Sequence, residues 1–412
     1  MSNVKRTAKI AGLVLLMLLA AGAVWLTKPW DDLQTWRLRT MLVEWPRADV
    51  FTHWEVIQPV APLTSSSNPR SFLRNSVNPA EISYQYNGQR IPLTDYFTRA
   101  NISGFMVVAD GQVRLEFYGK GLTSESRNQI WSATKSYTST LIGMALHDGT
   151  IESLDDPIMK YAPQFKGTAY GPTSIRHVMM MSSGIDFFHF KGKPDRTDMY
   201  DAIWFNGEDF DAWAGALGRR VPAGSDFNYI ATDTHVLAVV LRGAYGKPFV
   251  DVVQEKLWEP GGFGAAQWGL DHHGHAMGHC CLSVRLQDFA NLGQLYLDDL
   301  VINGQSVVND DWIYRVENAQ AEFQEPRYVQ PEGDGEPTLS EGYSFQFWLP
   351  LDYDQEFIAK GAFGQYLWTD RKNGFVVAQF STGQSMITTR GEAPIKPEEF
   401  QAVARAMRQL VE

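Results

Sequence analysis

Hydrophobic positions follow two different periods along the body of this chain. From Gly104 to Val108 and from Val113 to Tyr118, β-branched and aromatic residues dominate two short runs. Asp110-Gly111 lies between the runs, and an Asp-Gly pair in that position is typical of a tight hairpin turn. We therefore predict a β-hairpin over these residues.

The hydrophobic spacing becomes helical soon after this hairpin, in a run that contains Leu141, Ile142, Met144, Ala145 and Leu146. It predicts a helix from Ser132 to about His147, which Asp148-Gly149 would end because glycine readily takes the left-handed conformation of a helix stop. The chain from about residue 150 to about residue 320 is mostly helical and turn-rich in composition.

Strand-like composition returns towards the C-terminus. The runs concerned are Tyr343–Leu349, Phe357–Ala359, Gln365–Trp368 and Gly374–Ser381. The last segment, Lys396 to Val411, has the pattern of an amphipathic helix. This order predicts an α+β fold, in which an antiparallel sheet built from both ends of the body is flanked by helices and a mostly helical region is inserted.

The N-terminus has the pattern of a targeting segment. Lys5, Arg6 and Lys9 precede an uncharged apolar run from Ile10 to Leu26, which is typical of a secretory signal or an uncleaved anchor. We predict that residues 1–28 anchor the protein in a membrane, with secretion after signal cleavage as the alternative. The basic flank would leave the body on the periplasmic or extracellular face. Residues 29–100 are predicted to be a membrane-proximal lead-in, and residues 101–412 the main domain.

Composition narrows the choice of partners. The net charge of −11 argues against a nucleic-acid partner, which would favour a basic surface.

The two cysteines, Cys280 and Cys281, are adjacent. Neighbouring residues rarely satisfy disulfide geometry without strain, and the chain has no other cysteine. We therefore expect no disulfide framework and interpret the pair as two small hydrophobic residues beside Leu282. The sequence does not predict an oligomeric state.

The chemistry that stands out is a Ser-x-x-Lys sequence, Ser132 to Lys135, at the start of the predicted helix. Positions three apart share one helix face, so Lys135 can approach the hydroxyl of Ser132. A serine needs a nearby base to act as a nucleophile, and a lysine that is partly neutral can serve. The helix start also offers backbone N–H groups to a developing oxyanion.

Three further stretches lie downstream in a fixed order. Thr173–Ile185 is a short apolar helix that ends in Ser-Ser-Gly, and a turn delivers Tyr229 just before another helix. A tyrosine beside a lysine can relay a proton to a leaving group. Lys360–Tyr366 contains Gly361 and Gly364, and glycine lets the backbone approach a ligand closely.

The order and spacing of these motifs resemble the serine β-lactamase-related family, which contains class C β-lactamases, D-alanyl-D-alanine carboxypeptidases and esterases. The resemblance covers roughly residues 100–385. Asn228-Tyr229 leading into Thr232–Leu237, and Gly361–Gln365, look most like the nylon-oligomer (6-aminohexanoate-dimer) hydrolase branch.

The resemblance implies a role for each matching residue. Ser132 would be the nucleophile, Lys135 its base and Tyr229 the proton relay. The backbone N–H groups of Ser132 and Ala362 would form the oxyanion hole. Such an enzyme cleaves a small-molecule ester or amide through an acyl-enzyme and needs no cofactor or metal.

This chain departs from class C β-lactamases at two positions. Ala231 stands where they have the asparagine of Tyr-x-Asn, and Gly361-Ala362-Phe363 occupies the place of Lys-Thr-Gly, with Lys360 just before it. We therefore expect an ester or amide hydrolase, with β-lactamase or D-Ala-D-Ala carboxypeptidase activity as the alternative. A non-catalytic, membrane-tethered binding module on the same fold is the alternative of another class.

A second cluster of ligand-type side chains lies at Asp271, His272, His273, His275, His279 and Cys280. Zinc binds three or four such groups in a tetrahedron. Here the adjacent histidines and Gly274 favour an ordinary loop, so no metal site is predicted.

Overall fold

An eight-stranded sheet forms the centre of the computed structural model, which describes residues 47–188, 196–330, 338–383 and 395–411. The strands of the described residues are β1 (Val60–Leu63), β2 (Leu73–Arg74), β3 (Ser83–Tyr86), β4 (Gln89–Pro92), β5 (Ile102–Ala109), β6 (Gln112–Tyr118), β7 (Arg127–Gln129), β8 (Ala266–Gly269), β9 (Leu282–Arg285), β10 (Val301–Ile302), β11 (Gln305–Ser306), β12 (Arg327–Val329), β13 (Thr338–Ser340), β14 (Gly342–Ser344), β15 (Phe347–Leu349), β16 (Glu356–Gly361), β17 (Gln365–Asp370) and β18 (Phe375–Ser381). The strand order of the central sheet is β14-β15-β16-β17-β18-β5-β6-β2. Its neighbouring strands are antiparallel except for the short parallel pair of β2 and β6.

Most of the helices lie between β6 and β14, as the sequence predicts. The α-helices of the described residues are α1 (Arg47–Thr52), α2 (Leu93–Arg99), α3 (Thr134–His147), α4 (Ile158–Tyr161), α5 (Ile175–Met179), α6 (Arg196–Tyr200), α7 (Phe210–Gly215), α8 (Ala231–Tyr245), α9 (Phe249–Val253), α10 (Leu286–Leu297), α11 (Trp312–Glu317) and α12 (Pro397–Ala406). The predicted α+β fold, with a sheet drawn from both ends of the body, is confirmed.

The predicted hairpin is also confirmed. β5 and β6 pair from Gly104–Tyr118 to Ala109–Gln112, and Asp110 and Gly111 both have positive φ angles, of 50° and 69°. Two such residues make the turn whose twist matches that of paired strands.

Helices cover both faces of the sheet. On one face α2 and α12 bury apolar side chains against the strands, with Phe97 and Phe400 in the same core as Phe105 and Trp368. On the other face α10 packs on β5, β17 and β18, where Phe289 stacks on Phe380 with their ring centroids 5.8 Å apart. This burial of apolar surface is the main stabilising contribution to such a layered fold.

A smaller sheet, β1-β8-β9-β7, lies beside the start of α3. β7 pairs with β9 from Arg127–Arg285 to Gln129–Ser283, and the chain leaves β7 directly into the Ser-x-x-Lys turn. This sheet therefore positions the proposed nucleophile.

The prediction for the two cysteines was wrong. Cys280 and Cys281 form a disulfide between adjacent residues, and both are buried. Cys281 has a φ angle of 77°, a left-handed conformation that the sequence pattern does not reveal. Adjacent cysteines can therefore pair here because the backbone turns sharply between β8 and β9.

The N-terminal part of the chain is described from residue 47. Residues from Ala48 onward, including much of the stretch predicted as a lead-in, belong to the same compact unit as the remaining described residues. The predicted anchor at residues 1–28 lies outside the described residues. Within the described ranges no helix has both the length and the apolar character needed to cross a bilayer.

Candidate active site

The proposed nucleophile lies in a sharp turn between β7 and α3. Ile130 donates its N–H to the Leu282 carbonyl, 3.0 Å away, and so continues the β7–β9 ladder. Trp131 then takes a φ angle of 51°, and a 3₁₀ turn over Trp131–Ala133 leads into α3. A left-handed non-glycine residue is unfavourable. The surroundings stabilise it here, because the Trp131 N–H donates to Oε1 of Gln129 at 3.0 Å.

The indole of Trp131 is held by aromatic rings from distant parts of the chain. Its centroid lies 5.5 Å from that of Phe51, 5.0 Å from that of Trp54 and 5.1 Å from that of Phe363. The pairs with Phe51 and Trp54 are edge-on, and such pairs contribute about 0.5–1.5 kcal/mol each beyond their buried area. The cluster therefore stabilises the turn that exposes the half-buried Ser132.

Lys135 reaches back to Ser132 as the helical spacing predicts. Its Nζ lies 3.1 Å from the Oγ of Ser132 and 2.9 Å from the carbonyl oxygen of His279. Lys135 is only 2% exposed. A buried amine at this distance from a hydroxyl is positioned to exchange a proton with it.

Tyr229 lies beside the same amine. The Nζ of Lys135 is 5.1 Å from the centroid of the Tyr229 ring. The ring packs against those of Tyr343 and Trp348, with centroid distances of 5.7 and 5.1 Å. Burial raises the pKa of Tyr343 well above its ordinary value, so this neighbouring phenol stays protonated.

The segment that ends in Ser-Ser-Gly supports the turn that carries Tyr229. Asn228 donates its N–H to the Met181 carbonyl at 2.8 Å, and Gly224 donates to the Ser182 carbonyl at 2.7 Å. The side chain of Asn228 also donates to the Phe187 carbonyl at 2.9 Å. The predicted motif thus fixes the loop before α8.

Ala362 follows the end of β16, next to the nucleophile turn. Gly361 has extended backbone angles, φ −121° and ψ 158°, yet a β-carbon there would overlap the carbonyl oxygen of Ile130 and stand 3.1 Å from its carbonyl carbon. Glycine therefore lets β16 approach the turn that carries Ser132. The side chain of Asn128 links the two segments by donating to Oε1 of Gln365 at 3.0 Å.

Lys360 has a different environment from Lys135. It forms an ion pair with Glu341, and its Nζ lies 5.6 Å from the Trp348 ring centroid and 5.1 Å from that of Tyr366. Burial lowers the pKa of Lys360, but the Glu341 carboxylate outweighs burial, and the net pKa is above its ordinary value. Its positive charge is therefore already neutralised by a protein carboxylate.

Sequence reasoning missed two groups near the site. The His279 carbonyl oxygen, which accepts a hydrogen bond from Lys135, belongs to the backbone 144 residues away. A pattern of side chains in the sequence cannot predict such a contact. Asp233 is fully buried on α8 and accepts a hydrogen bond from the Tyr170 hydroxyl at 2.8 Å. Burial raises the pKa of Asp233 to about 7.

The histidine-rich stretch is an ordinary loop in much of its length. The rings of His272 and His273 lie 3.0 and 3.1 Å from backbone carbonyls of Trp204 and Gly207. Cys280 is in the disulfide. Among the described residues, a different trio brings potential ligand atoms within 4.8 Å of one another, namely Asp209, Asp211 and His275.

That trio is poorly suited to a cation. Asp211 already contacts the Nε2 of His235 at 2.9 Å and forms an ion pair with Arg242. Burial raises the pKa of Asp211, but the hydrogen bond from His235 and the charge of Arg242 outweigh it and hold the pKa well below its usual range. The carboxylate is thus occupied by protein partners.

Known proteins resemble this chain in sequence and in fold. The sequence profile of the family described as Beta-lactamase matches residues 99–397. The 6-aminohexanoate-dimer hydrolase of Paenarthrobacter ureafaciens is 24% identical over 320 residues, which cover 75% of this chain and 80% of that protein. A beta-lactamase of Psychrobacter immobilis is 33% identical, but over only 89 residues, or 19% of this chain and 21% of that one.

Solved structures agree on the fold. A Bacillus anthracis protein named after the 6-aminohexanoate-dimer hydrolases superposes with a TM-score of 0.74 at 19% identity, covering 90% of this chain and 94% of that one. The penicillin-binding protein homologue from Pyrococcus abyssi gives a TM-score of 0.55 at 17% identity, covering 77% of this chain and 76% of that one.

Proposed function

Because the chain belongs to the beta-lactamase family, we propose that it is a serine hydrolase that cleaves an ester or amide bond of a small molecule through an acyl-enzyme. One observation carries the proposal: the amine of Lys135 lies 3.1 Å from the Ser132 hydroxyl in a buried setting. Tyr229 lies against the same amine.

In the proposed mechanism, the neutral amine of Lys135 takes the proton of Ser132 as Oγ attacks the carbonyl carbon. The N–H groups of Ser132 and Ala362 stabilise the oxyanion of the tetrahedral intermediate. Its collapse forms the acyl-serine, and the leaving group departs with a proton delivered through Tyr229. A water then attacks the acyl-serine, the same groups carry its proton, and the carboxylic acid and free Ser132 are released.

Two features remove the side-chain contacts with which a class C β-lactamase is expected to hold the amide and the carboxylate of a β-lactam. Ala231, unlike an asparagine, has no side-chain amide to bind a substrate amide. Lys360, the nearest lysine on β16, is paired with Glu341 and is not available to hold a substrate carboxylate. The similarity to the Paenarthrobacter ureafaciens enzyme supports a linear amide such as an aminohexanoate dimer. β-Lactamase or D-Ala-D-Ala carboxypeptidase activity is the second candidate.

The test uses a fluorophosphonate probe and p-nitrophenyl esters. We expect wild type to be labelled at Ser132, Ser132→Ala not to be labelled, and Lys135→Ala to be labelled far more slowly. Ser136→Ala is the matched control, because Ser136 lies one helical turn further along α3 and donates to the Gln346 carbonyl. Equal labelling of wild type and Ser132→Ala would contradict the proposal and favour a binding module.

A substrate panel then separates the candidates. Chromogenic esters, aminohexanoate dimer, a D-Ala-D-Ala peptide and nitrocefin all present a carbonyl to the same groups. We expect turnover of the ester or the linear amide and slow or undetectable turnover of nitrocefin. Nitrocefin hydrolysis at the rate of a dedicated resistance enzyme would show that Ala231, in place of the asparagine, does not prevent β-lactamase activity.

We also propose that residues 1–28 direct the protein to a membrane, with the catalytic body on the periplasmic or extracellular face. The basic residues followed by an uncharged apolar run support this proposal. Fractionation of cells that express the full chain, followed by protease treatment of intact spheroplasts, tests it. Recovery of the full-length chain only in the cytosol would contradict it.

A further inference from the structure

The turn Met277–Cys281 is fixed on one side by β8. Met277 donates its N–H to the Gly269 carbonyl at 3.0 Å, and Gly269 donates its own to the Cys281 carbonyl at 2.8 Å. The approach is close, because a β-carbon on Gly269 would stand 2.6 Å from that of Cys281. The Cys280–Cys281 disulfide closes the end of this turn.

The opposite side of the same turn faces α3. The Gly278 carbonyl accepts a hydrogen bond from Oγ1 of Thr138 at 2.8 Å, and the His279 carbonyl accepts from Nζ of Lys135 at 2.9 Å. Lys135 and Thr138 are three residues apart and share one face of the helix. The consecutive carbonyls of Gly278 and His279 therefore bind this face of α3. The His279 carbonyl binds the amine of Lys135, which lies beside Ser132.

A lysine head is held in place only as firmly as its acceptors are. The four-carbon stem of Lys135 has several rotatable bonds, so the direction of the amine depends on its hydrogen-bond partners, and the His279 carbonyl is one of them. That carbonyl belongs to the residue just before the disulfide. Cys281, with a φ angle of 77°, takes a left-handed conformation that is unfavourable for an L-residue. An open chain could relieve this cost by turning the peptides on either side of Cys280.

We propose that the Cys280–Cys281 disulfide is a positioning group for the base of this enzyme. It holds the turn in the left-handed conformation that aims the His279 carbonyl at Lys135, and thereby aims the amine at Ser132. This inference rests on the proposed function, since it requires Lys135 to be the base for Ser132. The disulfide itself contacts neither the substrate nor the nucleophile. Both sulfur atoms belong to buried residues, so the effect acts through the backbone.

The test is a double-mutant cycle on the rate of fluorophosphonate labelling. It compares wild type, Cys280→Ala/Cys281→Ala, Lys135→Ala and the triple variant, with the disulfide state of each protein checked by mass after alkylation of the unfolded chain. Alanine keeps the steric cost of the left-handed position and removes the bond together with the two buried sulfur atoms. Leu115→Ala, in the sheet core, is the control for a general loss of stability.

We expect the cysteine change to slow labelling at least tenfold in wild type and less than twofold in the Lys135→Ala background. Non-additivity of this kind is what a group that acts through Lys135 produces. The bond would have a purely structural role if the cysteine change slowed labelling equally in both backgrounds. The same conclusion would follow if Leu115→Ala, at a similar loss of Tm, slowed labelling as much as the cysteine change does. Either result would overturn the proposal. So would unchanged labelling of the cysteine variant. Oxidised wild type that is not labelled at all would instead remove the proposed function, and this inference with it.

Discussion

Replacing Gly361 by alanine is expected to remove most of the activity while the protein stays folded. The backbone of Gly361 is extended, with φ −121°, so alanine causes no dihedral strain there. Its β-carbon would overlap the Ile130 carbonyl oxygen and stand 3.2 Å from the Cβ of Gln365. The end of β16 must therefore withdraw from the nucleophile turn and carry the N–H of Ala362 with it.

The size of the effect follows from the role proposed for that N–H. Loss of one oxyanion-hole donor costs about 10²–10³ in kcat, or about 2.7–4 kcal/mol. A misplacement of about 1 Å has an effect of the same order. The overlap itself is expected to lower the free energy of unfolding by about 1–3 kcal/mol, as overpacking does. Activity should thus fall by far more than the folded fraction.

This prediction is tested by measuring kcat for ester hydrolysis and the melting temperature on the same protein samples. Gly374→Ala is the matched control, because its φ of 72° makes alanine costly by about 1–2 kcal/mol while no atom lies within 4 Å of the added carbon. We expect Gly374→Ala to lose stability and keep its kcat. If Gly361→Ala were to keep kcat within about twofold of wild type, Ala362 would not be an oxyanion donor.

Three further changes have distinct expected results. Tyr229→Phe should lower kcat about 10²–10⁴-fold for an amide and much less for a p-nitrophenyl ester, whose leaving group needs no proton, and equal losses on both substrates would refute the relay. Lys360→Ala should cost about 3–5 kcal/mol of stability because it leaves buried Glu341 unpaired, with Lys360→Ala/Glu341→Gln recovering most of the loss in denaturant melts and kcat nearly unchanged in both. Asp233 has a folded pKa of about 7 against an ordinary value of 3.8, so its contribution to stability is full below pH 3.8 and is lost as the pH rises through 7. The Tm of Asp233→Asn relative to wild type should therefore rise between pH 5 and pH 8, and a constant difference would contradict the assignment.

Local rules predicted much of the site because its parts are local. Ser132 and Lys135 are three residues apart on a helix start, and helical geometry alone brings the amine to the hydroxyl. The Asp110-Gly111 turn pairs two strands for an equally local reason. Tyr229 needed the resemblance to a known family, since nothing in its own neighbourhood places it beside Lys135.

The remaining features depend on contacts between distant segments. The left-handed turn at Trp131 exists because Phe51, Trp54 and Phe363 surround its ring, and a left-handed tryptophan has no sequence signature. The adjacent disulfide depends in the same way on the fit of Cys281 against Gly269. A disulfide between neighbouring residues is improbable from general geometry. The packing of Cys281 against Gly269 nevertheless allows Cys280 and Cys281 to pair.

The rings of Phe51 and Trp54 have a practical consequence for anyone who shortens this chain. The family profile begins at residue 99, and a fragment cut there would discard both rings together with β1 and β2, the outer strands of two sheets. Such a fragment would leave the indole beside the proposed nucleophile, Ser132, uncovered on one side. A shortened version for crystallisation or assay should start no later than Arg47, so that its first helix still covers the tryptophan.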